Sequence, residues 1–274
     1  TEQLYVLNDS FREQIEEYCF EDLEVNMIRF FVYHDLEPEN DNDDPYDLDE
    51  SQLDWTRYDS DPNIWRTRYV GEALQNAFNL SINGFDHVIG NSNSAPAWLK
   101  TNGQHNGGGT LISGGESEFS EFLVAFLSGM ESRYGIEVTA ISPTNEPDYE
   151  VSYESMNTTP SELSSILINL NSRLANSGLD HIKIVSPECF RVESQNSGTS
   201  ATNYINAMFQ NSAVEEAVDI VGTHTYADPN HNANWNALKV AANGKPVWVT
   251  ESANLNSTDQ SMTDAANYIK WIIR

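Results

Sequence analysis

An α/β architecture closed as a (β/α)8 barrel is the fold class this sequence predicts, and three observations carry it. Helix-like and strand-like stretches alternate along nearly the whole chain, the pattern of a parallel sheet with crossover helices. The strand-like stretches are almost continuous apolar runs, as expected where both faces of a sheet are covered. Two of them end on a glutamate just as turn residues begin: Ile141-Ser142-Pro143-Thr144-Asn145-Glu146-Pro147 and Pro246-Val247-Trp248-Val249-Thr250-Glu251. In barrels of this kind the C-terminal strand ends carry the active-site residues.

The elements follow in order. Helical patterning predicts helices near 9–23, 63–78, 117–133, 160–177, 200–216, 232–243 and 260–273, with β-prone runs near 25–33, 85–90, 138–142, 182–185, 218–223 and 247–250 between them. Thr159-Pro160-Ser161-Glu162 and Ser117-Glu118-Phe119-Ser120-Glu121 read as helix starts. Six strands and seven helices fall short of the eight of each that a closed barrel needs. The first and last strands are therefore expected before Thr1 and after Arg274, with an irregular first strand at 4–7 as the alternative. Residues 1–274 are read as a single catalytic-type domain, an excerpt of a longer protein. A doubly wound open sheet is the competing architecture, and no Gly-rich phosphate turn follows the first strands to support it.

Composition narrows the function. With 39% hydrophobic and 11% aromatic residues the chain can bury a sizeable core. The 42 acidic against 14 basic residues, a net charge of −28, would repel phosphate backbones and anionic membranes. Nucleic acid and membrane partners are not expected, whereas a neutral polysaccharide or glycoside is compatible. The acid excess also fits a surface adapted to concentrated salt. No apolar run reaches membrane-spanning length and no signal-like segment opens the chain. An extracellular monomer without cofactor is the expectation. Cys19 and Cys189 are placed at opposite ends of the barrel and are not expected to pair.

The chemistry rests on the strand ends. Hydrolysis of a glycosidic bond needs one acid to protonate the leaving oxygen and a second as nucleophile or base, and Glu146 and Glu251 are the pair. Pro147 holds Glu146 out of a helix, and Asn145 beside it can donate to and accept from a sugar hydroxyl. Arg29, embedded in the apolar run Asn26-Met27-Ile28-Arg29-Phe30-Phe31-Val32, wants a carboxylate partner, for which Glu251 is the natural choice. In Val221-Gly222-Thr223-His224-Thr225-Tyr226, His224 and Tyr226 share one side of a strand end, where the phenol could bond a nucleophile. Trp98 follows another strand end and joins Arg29, Asn145, His224 and Tyr226 as a candidate substrate-binding residue. Segment 34–62, acidic and containing Pro45, Tyr46, Trp55 and Tyr58, is too long for a plain connection. It reads as a solvated lid with aromatic residues facing sugar. Its Asn40-Asp41-Asn42-Asp43-Asp44 stretch lacks the glycine and terminal glutamate of an EF-hand, and no metal is assigned. The histidines show no close metal-ligand pair, the cysteines no zinc pattern, and no Gly-x-Ser-x-Gly occurs. Gly107-Gly108-Gly109 reads as a flexible turn.

On these residues the chain resembles the retaining glycoside hydrolases of clan A over most of its length. The resemblance implies that Glu146, in Thr144-Asn145-Glu146-Pro147, is the acid/base and Asn145 the partner of the sugar 2-hydroxyl. It further implies that Glu251 is the nucleophile, Arg29 the strand-two arginine, and His224 with Tyr226 the strand-six pair. Ser94-Ala95-Pro96-Ala97-Trp98-Leu99-Lys100-Thr101-Asn102-Gly103 is most similar to the strand-three loop of glycoside hydrolase family 30, a family of glucosylceramidases, β-1,6-glucanases, β-1,6-galactanases and glucuronoxylanases. The strand-eight tryptophan and the β-sandwich of that family have no counterpart here, and the long acidic loop after Arg29 departs from it. The implied function is a retaining endo-β-glycosidase acting on β-1,6-glucan, β-1,6-galactan or xylan-type polysaccharide. A clan A agarase or porphyranase-like enzyme and a non-catalytic carbohydrate-binding barrel are the alternatives.

Overall fold

The computed structural model of the chain describes residues 9–42, 44, 47, 49–56, 70–193, 199–226 and 232–252. The expected strand at 4–7, the helix at 260–273, the start of the helix at 63–78, and Asp43, Pro45, Tyr46 and Tyr58 lie outside the described residues.

Six strands form one sheet among the described residues: β1 Met27–Val32, β2 His87–Ser92, β3 Ala140–Ser142, β4 Lys183–Cys189, β5 Ile220–His224 and β6 Val247–Glu251. All neighbours are parallel, and their spatial order is their chain order. That order has no reversal point, so the doubly wound sheet is excluded. Six strands laid flat would separate the outer two by roughly 24 Å at ~4.8 Å per step. Instead, Arg29 of β1 and Glu251 of β6 are hydrogen-bonded at 2.8 Å, and the rings of His87 on β2 and Trp248 on β6 stand 4.5 Å apart. The sheet therefore curls around a barrel axis.

Helices α1 Asp9–Glu17, α2 Val70–Leu80, α3 Glu116–Tyr134, α4 Pro160–Asn176, α5 Ala201–Met208, α6 Ser212–Ala217 and α7 Asn232–Ala241 surround it. Helix α4 starts as its sequence predicts, with Pro160 in the first turn and a reciprocal capping box between Thr159 and Glu162. Helix α3 begins at Glu116, ahead of the expected Ser117 signal, with Gly115 as its cap. The helix expected over 200–216 is broken in two, because the Asn211 side chain accepts from the Ala213 amide and caps a fresh start.

Two apolar regions hold the sheet. The larger lies between strands and helices and includes Phe30, Phe119, Phe122, Phe126 and Leu167. The smaller holds Ile89, Ala140, Val185 and Ile220, one each from β2 to β5, with Trp248 of β6 packed against them. It is a layer of barrel-filling side chains. Above this layer stand the strand ends.

The segment after β1 corrects one expectation. Trp55 does not face outward from a solvated lid: it is 4% exposed and stacks on Phe126 of α3 with centroids 5.7 Å apart. Gly129 makes the room, since a Cβ there would lie 2.0 Å from the indole. Leu36 and Leu53 are buried beside it. The described part of this segment is thus an arm packed onto the helix layer. Gly107-Gly108-Gly109 is likewise no loose turn, for the Gly107 amide donates to the Tyr153 carbonyl at 3.1 Å and the Gly109 carbonyl accepts from Asn157 at 2.9 Å.

Candidate active site

Arg29 is the hub of the strand ends. It points inward from β1, whose alternate residues Ile28, Phe30 and Val32 are buried. Its guanidinium donates to Glu251 Oε2 at 2.8 Å, Asn145 Oδ1 at 2.8 Å and Glu188 Oε2 at 3.2 Å. A buried cation inside an apolar strand has found its carboxylates, as its placement demanded.

Glu251 accepts on both oxygens, from Arg29 and from the Tyr226 hydroxyl. Burial and the hydrogen bond to Glu251 push the Tyr226 phenol above its usual range, so it stays a donor. Glu146 is 6% exposed. It sits at φ 48°, unusual for a side-chain-bearing residue, and is held there by its amide donating to the Glu188 carbonyl at 2.9 Å. Its Oε1 lies 3.0 Å from His224 Nδ1. A Glu146 oxygen, a Glu251 oxygen and a His224 ring nitrogen all fall within 4.8 Å of one another.

His224 is fully buried, and burial by itself would lower its pKa. Hydrogen bonds to Glu146 and Glu188 outweigh that and raise it to about 9. Held between the Glu146 and Glu188 carboxylates, it is favoured as an imidazolium, the form that can donate from both nitrogens.

Glu188 is the residue that sequence reading missed. The strand was expected to end at Val185, before Ser186-Pro187, yet β4 runs on to Cys189. Glu188, with φ 63° and no exposure, accepts on Oε2 from Arg29, from His224 Nε2 at 3.2 Å and from Thr250 Oγ1 at 2.9 Å. Burial opposes its ionisation, but Arg29 and His224 prevail and hold it below the usual carboxylate range. Gly222 is required beneath it, since a Cβ there would sit 2.4 Å from Glu188 Oε1. A visible signal existed: Ile182 to Glu188 is a third apolar run ending on a glutamate.

Two register shifts build this arrangement. The β4–β5 ladder skips from Pro187 to Cys189, and the β5–β6 ladder pairs Thr223 with Val249 and then His224 with Glu251. The skipped residues are Glu188 and Thr250, which are hydrogen-bonded to each other. Bulges at sheet ends re-aim side chains, and here they turn two strands toward one centre.

Trp98 stands outside this network. It packs against the main core, and its indole N–H donates to the Glu37 carbonyl at 3.0 Å. The network's aromatic neighbours are instead Tyr149 and Phe190, neither anticipated: Tyr149 stacks on Phe190 at 4.3 Å, and Phe190 leans on Tyr226 at 5.1 Å. Cys19 and Cys189 are both free thiols, as expected. No helix among the described residues is long and apolar enough to cross a membrane.

The sequence profile described as Glycosyl hydrolase family 59 matches residues 82–273, well over half of the chain. Over 143 residues the chain is 27% identical to glucuronoxylanase XynC of Bacillus subtilis, a match covering 52% of this chain and 30% of that protein. The crystal structure of SrfJ from Salmonella typhimurium superposes with a TM-score of 0.77 at 19% identity, covering 98% of this chain and 58% of the other. The catalytic domain of the family 30 xylanase C from Talaromyces cellulolyticus gives 0.67 at 19% identity, covering 98% and 61%. The chain therefore spans less than two thirds of these relatives, while their shared fold is the barrel seen here. The chain belongs to glycosyl hydrolase family 59, and its barrel is that of a clan A glycoside hydrolase most like family 30.

Proposed function

We propose that this domain is the catalytic barrel of a retaining endo-β-glycosidase that cleaves a β-linked polysaccharide of the β-1,6-glucan, β-1,6-galactan or xylan type. The observation that carries the reading is the approach of Glu146 and Glu251 within 4.8 Å. Retaining enzymes hold their two carboxyl groups about 5–5.5 Å apart, whereas inverting ones leave roughly 6.5–9.5 Å for a water. The unlike surroundings of the two acids support their roles. Glu251, clamped between a guanidinium and a phenol, presents a fixed lone pair to the anomeric carbon. Glu146, whose carboxylate has His224 as its one side-chain partner among the described residues, protonates the departing oxygen and then takes a proton from the water that releases the glycosyl-enzyme.

Asn145 fits the sugar 2-hydroxyl: Arg29 occupies its carbonyl oxygen, which leaves its amide N–H groups as donors. Tyr149 and Phe190 offer ring faces beside Tyr226 on which a sugar could stack.

Azide separates the two roles. In the full-length protein, Glu146→Ala should still accept an aryl β-glycoside with a good leaving group, and added azide should yield the β-glycosyl azide. Glu251→Gly should make no glycosyl-enzyme. Formation of the α-azide by Glu146→Ala and the β-azide by Glu251→Gly would exchange the assignments.

A further inference from the structure

A second group of carboxylates lies between the arm after β1 and helix α3. Glu37, Asp41 and Glu121 each bring an oxygen within 4.8 Å of the others. Glu37 is 2% exposed, and neither of its carboxylate oxygens has a hydrogen-bond partner among the described residues. The Asp41 main-chain amide leans toward it without reaching hydrogen-bond geometry. Glu121 is also buried, on the first turns of α3.

An unpartnered buried carboxylate is among the costliest groups a fold can hold, and this one faces two more acids. Glu118 and Asp47 add negative charge around Glu121, and Arg173 is the cation that offsets it there. Burial, then Glu121 and Asp41, raise Glu37 to about 9; burial and Asp41 raise Glu121 to about 8. Among the described residues, no cation compensates Glu37.

We propose that Glu37, Asp41 and Glu121 form a binding site for a divalent cation of the oxygen-preferring class, calcium above all. Several converging carboxylates with no nitrogen or sulfur donor are the ligand set of calcium, magnesium or manganese. Calcium suits the irregular arm better than magnesium, which demands near-octahedral geometry. The site shares no residue with the strand-end network. Its consequence is mechanical: the Glu37 carbonyl accepts from Trp98 and the Leu36 carbonyl accepts from Asp54 at 2.6 Å. A cation tying Glu37 to Glu121 would thus fasten the arm, the loop after β2 and helix α3 together.

The test titrates the chelator-treated full chain with calcium chloride in a calorimeter. It also follows terbium luminescence excited through tryptophan, because Trp98 is bonded to Glu37 itself. Saturable calcium binding with Kd of roughly 10⁻⁶–10⁻³ M is expected, weaker for magnesium, together with sensitised terbium emission that calcium displaces. Glu37→Gln/Glu121→Gln should weaken calcium at least about tenfold. Asp41→Asn, on the half-buried arm, should do so without disturbing the core, which keeps the test informative if the double variant folds poorly. Glu251→Gln should leave the titration unchanged. Absence of calcium heat and terbium emission would overturn the proposal, as would calcium binding that survives in both carboxylate variants or is lost in Glu251→Gln.

Discussion

The molecule holds two nests of three carboxylates, and they are built on opposite plans. At the strand ends, Glu146, Glu188 and Glu251 are threaded by Arg29 and the imidazolium of His224, so every acid has a cation or a donor from the chain. On the outer layer, Glu37, Asp41 and Glu121 have Arg173 near one member and, among the described residues, no partner for Glu37. Buried charges that are paired cost little net and hold their geometry, while unpaired ones shift their pKa or recruit a counter-ion. The inner nest is therefore preorganised for chemistry, and the outer one is poised to take up a proton or a metal.

The largest expected effect breaks the inner nest at its reacting atom. Glu251→Gly should reduce kcat on a polysaccharide or aryl glycoside on the order of 10⁴-fold or more, with the fold intact by circular dichroism. Retention of more than about a hundredth of the wild-type rate would remove Glu251 from the nucleophile's role.

Arg29→Met strikes the hub instead. It strands Glu188 in the interior and should cost about 3 kcal/mol in urea unfolding, the low end for orphaning a buried ion-pair partner, because the Glu251 side chain keeps 35% of its surface exposed. The same change in the outer nest carries the opposite sign. Glu37→Gln removes a carboxyl that must hold its proton at neutral pH and, without calcium, should leave stability there unchanged or raised.

A pH series sharpens the contrast further. His224 has its folded pKa raised from 6.5 to about 9. Its stabilisation is fully present below pH 6.5 and is lost as pH rises through 9. Glu188→Gln should bring the titration of His224, followed by NMR, down toward its ordinary value and erase that part of the loss. Glu37 and Glu121, raised from 4.5 to about 9 and about 8, cost nothing below pH 4.5 and their full penalty above 9. Both nests thus weaken the protein in alkali. Calcium should abolish only the outer share, and Glu188→Gln only the inner one.

The smallest effect belongs to neither nest. The surface charge behind the −28 total should be screened in molar potassium chloride, raising the melting temperature by a few degrees. Since the inner nest is paired, its pH dependence should change little with salt.

Much of the inner nest was legible before any coordinates. Glu146, Glu251, Arg29, His224 and Tyr226 were found because apolar runs ending on polar residues mark strand ends, and a charge inside such a run must find an opposite one. Glu188 carried the same mark, but Pro187 disguised it, since proline in a run reads as the end of a strand. Trp98 was read as a sugar-binding residue from its place past a strand, and what only the structure shows is that its indole N–H is bonded to the Glu37 carbonyl. Trp55 was read as a lid aromatic because its neighbours in sequence are acidic. Its neighbours in space are Phe126 and Gly129.

By itself the sequence determined the period of each element, the order of strands and helices and the polar residues at strand ends, because these depend on neighbours a few positions away. Tertiary structure decided the rest. The curl that joins Arg29 to Glu251 across the sheet, the bulges that turn Glu188 and Thr250 toward each other, and the meeting of Glu37 with Glu121 all depend on how distant segments register. Register is set by the summed packing of whole layers, and no short window of residues carries that sum.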